Sequence, residues 1–96
     1  GETTLDPRER ARRYLAAIPP AVAGSQGDVA TFRVCCRLVR GFALTDDDAL
    51  GVLVDWNRAC SPPWSEIELR TKLKAARDYG REPVGGLLSA DRRASN

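Results

Sequence analysis

Apolar residues recur at helical spacing in four blocks, and residues that start or stop helices bound each block. In the first block Ala11, Tyr14, Leu15 and Ile18 follow Asp6-Pro7-Arg8-Glu9. Asp6 can cap, Pro7 suits the first helical position, and Glu9 completes a capping box. Pro19-Pro20 ends the block, because a residue before proline is pushed out of the α region. A loop, AVAGSQG, follows. Asp28 is the expected cap of a second helix with the stripe Val29, Phe32, Cys35, Cys36, Val39 and Phe42, and Gly41 near its end. The run FRVCCRLV is β-prone in composition, but its cap and its continuation to Phe42 favour helix.

The third block opens on Thr45-Asp46-Asp47-Asp48, with Thr45 as cap and three aspartates that suit a helix N-terminus. Ala49, Leu50, Leu53, Val54, Trp56, Asn57 and Cys60 follow. Ser61-Pro62-Pro63-Trp64 is a stiff connection. Ser65 and Glu68 form an S-x-x-E box for a fourth helix, whose apolar positions are Ile67, Leu69, Leu73, Ala76 and Tyr79. Gly80 stands at the C′ place. Residues 81–96 are rich in Gly, Ser and Arg and read as a tail or interdomain linker, with Leu87 and Leu88 able to dock on the bundle. The pattern predicts an all-α fold: a compact bundle of about four short helices over residues 1–80, with a flexible C-terminal tail over residues 81–96.

Composition narrows the class. A chain of 96 residues and 10.5 kDa makes one small domain. No apolar run approaches the roughly 20 residues of a membrane span, and GETTLDPRER has no apolar h-region, so the expected compartment is the cytoplasm. Cys35, Cys36 and Cys60 form no CxxC and read as reduced, buried, small apolar residues. The chain has no histidine, which removes the commonest general base and metal ligand. It also lacks G-x-x-x-x-G-K-[ST] and G-x-G-x-x-G. Catalytic residues, a metal site and a cofactor are therefore not expected, and the fragment is not expected to be an enzyme.

The net charge of +2 hides local runs of one sign. Arg8–Arg13, Arg33–Arg40 and Arg70–Arg81 are basic, whereas Asp46–Asp55 is acidic. Thirteen of the fifteen bases are arginine, which suits bidentate phosphate contact. Arg33, Arg37 and Arg40 fall on one face if their helix is regular. The loop at Gly24, Gly27 and Asp28 has two readings. It is either a link between helices or a nucleotide contact at a helix N-terminus, and a capping Asp28 carboxylate would argue against a phosphate cradle. Trp64 reads either as a plug that pins a loop or as a stacking platform for a base. Trp56 and Phe32 fall on core stripes. The Asn57 amide is placed to bond loop backbone groups and fix the turn before Pro62.

Taken in order, these residues resemble a known family. T-F-R-V-C-C at 31–36, L-V-R-G-F at 38–42 and W-N-R-A-C at 56–60 are followed by P-P-W-S at 62–65 and E-L-R-T-K-L at 68–73. This resembles the primase C-terminal helical domain over about residues 12–77. That domain follows the primase–polymerase module in many plasmid, phage and integrated-element replication proteins, often ahead of a helicase-type ATPase. The resemblance implies a bundle that does not itself polymerise but helps hold template DNA and initiating nucleotides. It carries over to the loop Gly24–Asp28, Arg33, Asn57, Glu68 and Lys72. Relatives often have an Arg-Asn or His-Asp pair where this chain has Gly27-Asp28, so half of a contact pair is missing.

Two functions follow as expectations. In the first, Arg33, Arg37, Arg40, Arg70, Lys72, Lys74 and Arg77 contact the phosphates of single-stranded DNA or a primer-template, beside a flanking primase-polymerase or helicase module, and the domain is a monomer. In the second, the domain is a protein–protein adaptor, and the acidic start of helix three pairs with the basic fourth helix of a neighbour. Neither involves a membrane.

Overall fold

A computed structural model describes residues 6–88 and contains four α-helices: α1 (Pro7–Ala16), α2 (Gly27–Cys36), α3 (Asp46–Asn57) and α4 (Glu66–Tyr79). The expected all-α bundle is what forms. Three helix starts follow the sequence signals. The Asp6 carboxylate accepts the Glu9 N–H at 2.9 Å, and the Thr45 hydroxyl accepts the Asp48 N–H at 3.2 Å. Ser65 and Glu68 close a reciprocal capping box at 3.2 and 2.8 Å. These Ser65 bonds hold the Glu68 carboxyl below its ordinary pKa, the backbone N–H first. Glu9 makes no such box and turns to Arg12 and Arg13 at 3.2 and 3.6 Å.

The second helix departs from expectation. It begins at Gly27, after Gln26 in the left-handed region at φ 61°, and no side chain caps it. The turn at Gln26 brings the chain into the helix early, so Asp28 lies inside the first turn instead of capping it. The far end departs too. Residues Arg37–Gly41 form a π-helical turn continuous with α2, and the Phe42 N–H reaches back five residues to the Arg37 carbonyl at 2.8 Å.

α2 packs on α4 and α1 on α3, and the two pairs meet where α3 touches α4. Leu38, Leu53, Leu69 and Leu73 lie at the centre, all but sealed from solvent. Each such leucine contributes roughly 2 kcal/mol by burial. The buried stripe of α4 is Leu69, Leu73 and Ala76. Ile67 and Tyr79, expected on that stripe, are each 78% exposed. Relative to Leu69, helical geometry sets Ile67 about 160° round and Tyr79 about 80° to one side. Phe32 is half-buried, whereas Trp56 is buried and its indole N–H donates to the Ile18 carbonyl at 3.1 Å.

The irregular segments are fastened to this frame. Asn57 clamps Trp64 from both sides: its Oδ1 accepts the Trp64 N–H at 2.8 Å and its Nδ2 donates to the Trp64 carbonyl at 2.9 Å. The buried amide thus holds the connection 58–63 closed, the role its position suggests. The Trp64 indole N–H donates to the buried Thr31 hydroxyl at 2.9 Å, which pins the loop as a plug would. The stretch around Val22 bridges to Ser61 by two backbone bonds of 2.8 and 2.9 Å.

Residues 81–88, read from sequence as tail or linker, lie against α2 and the π turn as a strap. Leu87 and Leu88 pack on the core, as expected. Leu87 sits so close to Gly41 that a Cβ there would be 2.5 Å from it. Gly80 is also a point of close approach: its Cβ would lie 2.4 Å from the Ala76 carbonyl oxygen and 2.7 Å from Arg40 Cδ. It ends α4 with φ −65°, so contact demands glycine here, not left-handed backbone. Residues 89–96, the rest of the expected tail, lie outside the described residues.

All three cysteines are free and buried. Burial pushes the Cys35 thiol up to about 12, and the Cys36 and Cys60 thiols also rise, chiefly from desolvation. They behave as the small apolar residues the sequence suggests. Among the described residues, no helix is long and apolar enough to cross a membrane.

Candidate nucleic-acid interface

The outward side of α4 carries Arg70, Lys74 and Arg77, spaced to neighbour one another along the helix. Each of them meets acids. Arg70 contacts Glu66 at 3.0 Å and Asp47 at 3.5 Å. Lys74 holds Asp78 at 2.9 Å, and that bond first of all keeps its ammonium charged above the ordinary range. Arg77 grips Asp46 at 2.6 Å and donates to the Leu44 carbonyl at 3.0 Å. Three bases therefore face four carboxylates, and this side has no basic excess. The acidic start of α3 finds the basic fourth helix within its own chain.

The row Arg33, Arg37 and Arg40 is broken in two ways. A π turn holds more residues per turn than an α turn, so Arg40 does not return to the line of Arg33 and Arg37. Both later arginines are also committed to the strap. Arg37 is ion-paired with Glu82. Arg40 Nε donates to the Glu82 carbonyl at 2.6 Å and Nη1 to the Arg77 carbonyl at 3.0 Å, while its own carbonyl accepts the Gly85 N–H at 2.7 Å.

The glycine loop and Trp64 do come together. Gly24, Gly27 and Asp28 share a cavity of about 390 Å³ with Pro62, Pro63, Trp64 and Glu68. Lys72 is the half-buried cation at its edge, 2.6 Å from the Asp28 carboxylate and 4.2 Å from the centre of the Trp64 ring. Asp28 thus leaves the helix N–H groups uncapped, contrary to the objection its position raises. Two carboxylates, Asp28 and Glu68, line the same cavity and oppose an anion there.

Arg33 stands apart. Among the described residues it has no hydrogen-bond or ion-pair partner, and the same holds for Arg81. The two line one shallow groove of about 580 Å³ with Phe32, Tyr79 and Pro83. Tyr79 is 78% exposed, which leaves its ring open to stacking. Sequence spacing singles out Arg33 but misses Arg81 and Tyr79. Arg81 sits just beyond the helix in a segment read as linker, and Tyr79 was assigned to the core. The available signal was the pairing of an aromatic with a nearby arginine across Gly80.

The fold and this groove define a small all-α bundle with an uncompensated basic and aromatic patch. No protein-family model matches the chain, and no curated protein or solved structure matches it either.

Proposed function

We propose that this bundle is a non-catalytic accessory module of a replication protein of the primase or helicase type, and that it contacts single-stranded nucleic acid. The contact reading is carried by one observation: Arg33 and Arg81, without internal partners, flank the exposed ring of Tyr79 in one groove. A guanidinium free of carboxylates can take a phosphate without first breaking an ion pair, and an open tyrosine ring accepts any base face. The replication context rests on the resemblance over residues 12–77. Two phosphate contacts make for weak binding, on the order of micromolar or weaker, with a log–log salt slope of about −1.4 on a single strand.

Fluorescence anisotropy of a labelled single strand, titrated at two salt concentrations, tests this. The expected result is salt-sensitive binding that is lost when Arg33→Glu and Arg81→Glu are combined. No binding at low salt, or full binding by the double variant, overturns the proposal.

A further inference from the structure

A second hollow opens on the other side of Arg33, between the end of α1 and the flank of α2, with a volume of about 420 Å³. Its walls are apolar and partly flat, including Tyr14, Ile18 and Pro20, and Ser25 adds a hydroxyl at the rim. Its ionised groups are Arg33 and Arg37, and no carboxylate among the described residues lines it. That separates it from the glycine-loop cavity, which Asp28 and Glu68 line. Arg37 already shares its charge with Glu82, whereas Arg33 keeps its own. The complementary occupant is a flat apolar body with an anionic group at its edge. Arg33 also lines the Tyr79–Arg81 groove, so one guanidinium stands on the ridge between two hollows.

We propose that this hollow receives the base of one unpaired nucleotide while the adjoining phosphate rests on Arg33. The strand then runs from the Tyr79–Arg81 groove across Arg33 into the hollow. The inference rests on the nucleic-acid reading above and adds to it a discrimination. A base inside a duplex is stacked and paired and enters such a hollow only after extrusion, so the site selects single strands.

The test fills the hollow without touching a charge. Ala30→Phe plugs it from α2, and Ser25→Phe does so from an exposed position where misfolding is not an issue; thermal melts confirm both folds. Each variant and the unaltered chain are titrated with a short labelled oligothymidylate and with a strand of equal length that is abasic throughout. The unaltered chain should bind the thymidylate about tenfold more tightly than the abasic strand. Each plug should remove that advantage and leave abasic binding unchanged. Plugged variants that keep the full advantage overturn the inference while the nucleic-acid reading stands. Equal losses on both strands also overturn it, since the plug then acts through Arg33. If the unaltered chain binds neither strand, the nucleic-acid reading fails and the inference with it.

Discussion

The outward side of α4 and the groove between α2 and the strap are built from the same kinds of side chain, yet they present different fields to solvent. On α4 every base lies within 3.5 Å of a carboxylate. In the groove, Arg33 and Arg81 face solvent beside Tyr79 without one. Exposed pairs like those on α4 add little stability, about 0–1 kcal/mol each. Their larger effect is to cancel the local field, which salt already confines to about 8 Å. A run of arginines in sequence therefore becomes a binding face only where the fold leaves its charges uncompensated.

The comparison can be broken first at the joint between the two regions. Gly80→Val drives a side chain into the Ala76 carbonyl and Arg40. The expected loss is about 3 kcal/mol in urea unfolding, from overpacking that prises α4 from α2. An unchanged midpoint would show that the joint is loose. Single charge reversals sharpen the contrast at the next level. Arg81→Glu should weaken single-strand binding about tenfold, since it replaces a phosphate contact with repulsion. Lys74→Glu, from the compensated side, should change it no more than about twofold. Similar losses for both in one titration would erase the distinction.

Arg77→Ala should do the reverse of Arg81→Glu. It should cost about 1 kcal/mol of stability, discounted for a guanidinium 42% exposed, because it frees Asp46 and the Leu44 carbonyl, and it should leave affinity alone. The smallest effect is the acid response of the capping box. The folded-state pKa of Glu68 lies below its ordinary 4.5, so its contribution is present above that value and is lost as pH falls through the lowered one. Glu68→Gln should flatten that part of the acid unfolding curve, as circular dichroism would show; a curve of unchanged slope would contradict the assignment.

Much of the frame was legible because its determinants are local. Asp6, Thr45 and Ser65 cap within three residues, and the stripes of α3 and α4 follow helical period around Leu53 and Leu73. Asn57 was readable for a similar reason, since its partner Trp64 lies only seven residues away. The start of α2 was not legible, because a non-glycine residue such as Gln26 rarely takes φ 61° and nothing in its neighbourhood announces it. The π turn escaped because Arg37–Gly41 has the apolar content of an ordinary helix. The binding groove was half legible. Arg33 falls in a basic run, but which arginines keep an unpaired charge depends on Glu82 and Asp46, 45 and 31 residues away from Arg37 and Arg77.

The π turn can also be regarded as a phase shift. Closing its hydrogen bond over five residues instead of four inserts one position into the helical count. Deleting one residue there would restore the α phase and carry everything after it about 100° round the axis. Arg40 would then point away from Glu82 and Arg77, and Gly41 away from Leu87. A single register step in the backbone thus decides whether residues 81–88 have anything to fasten to.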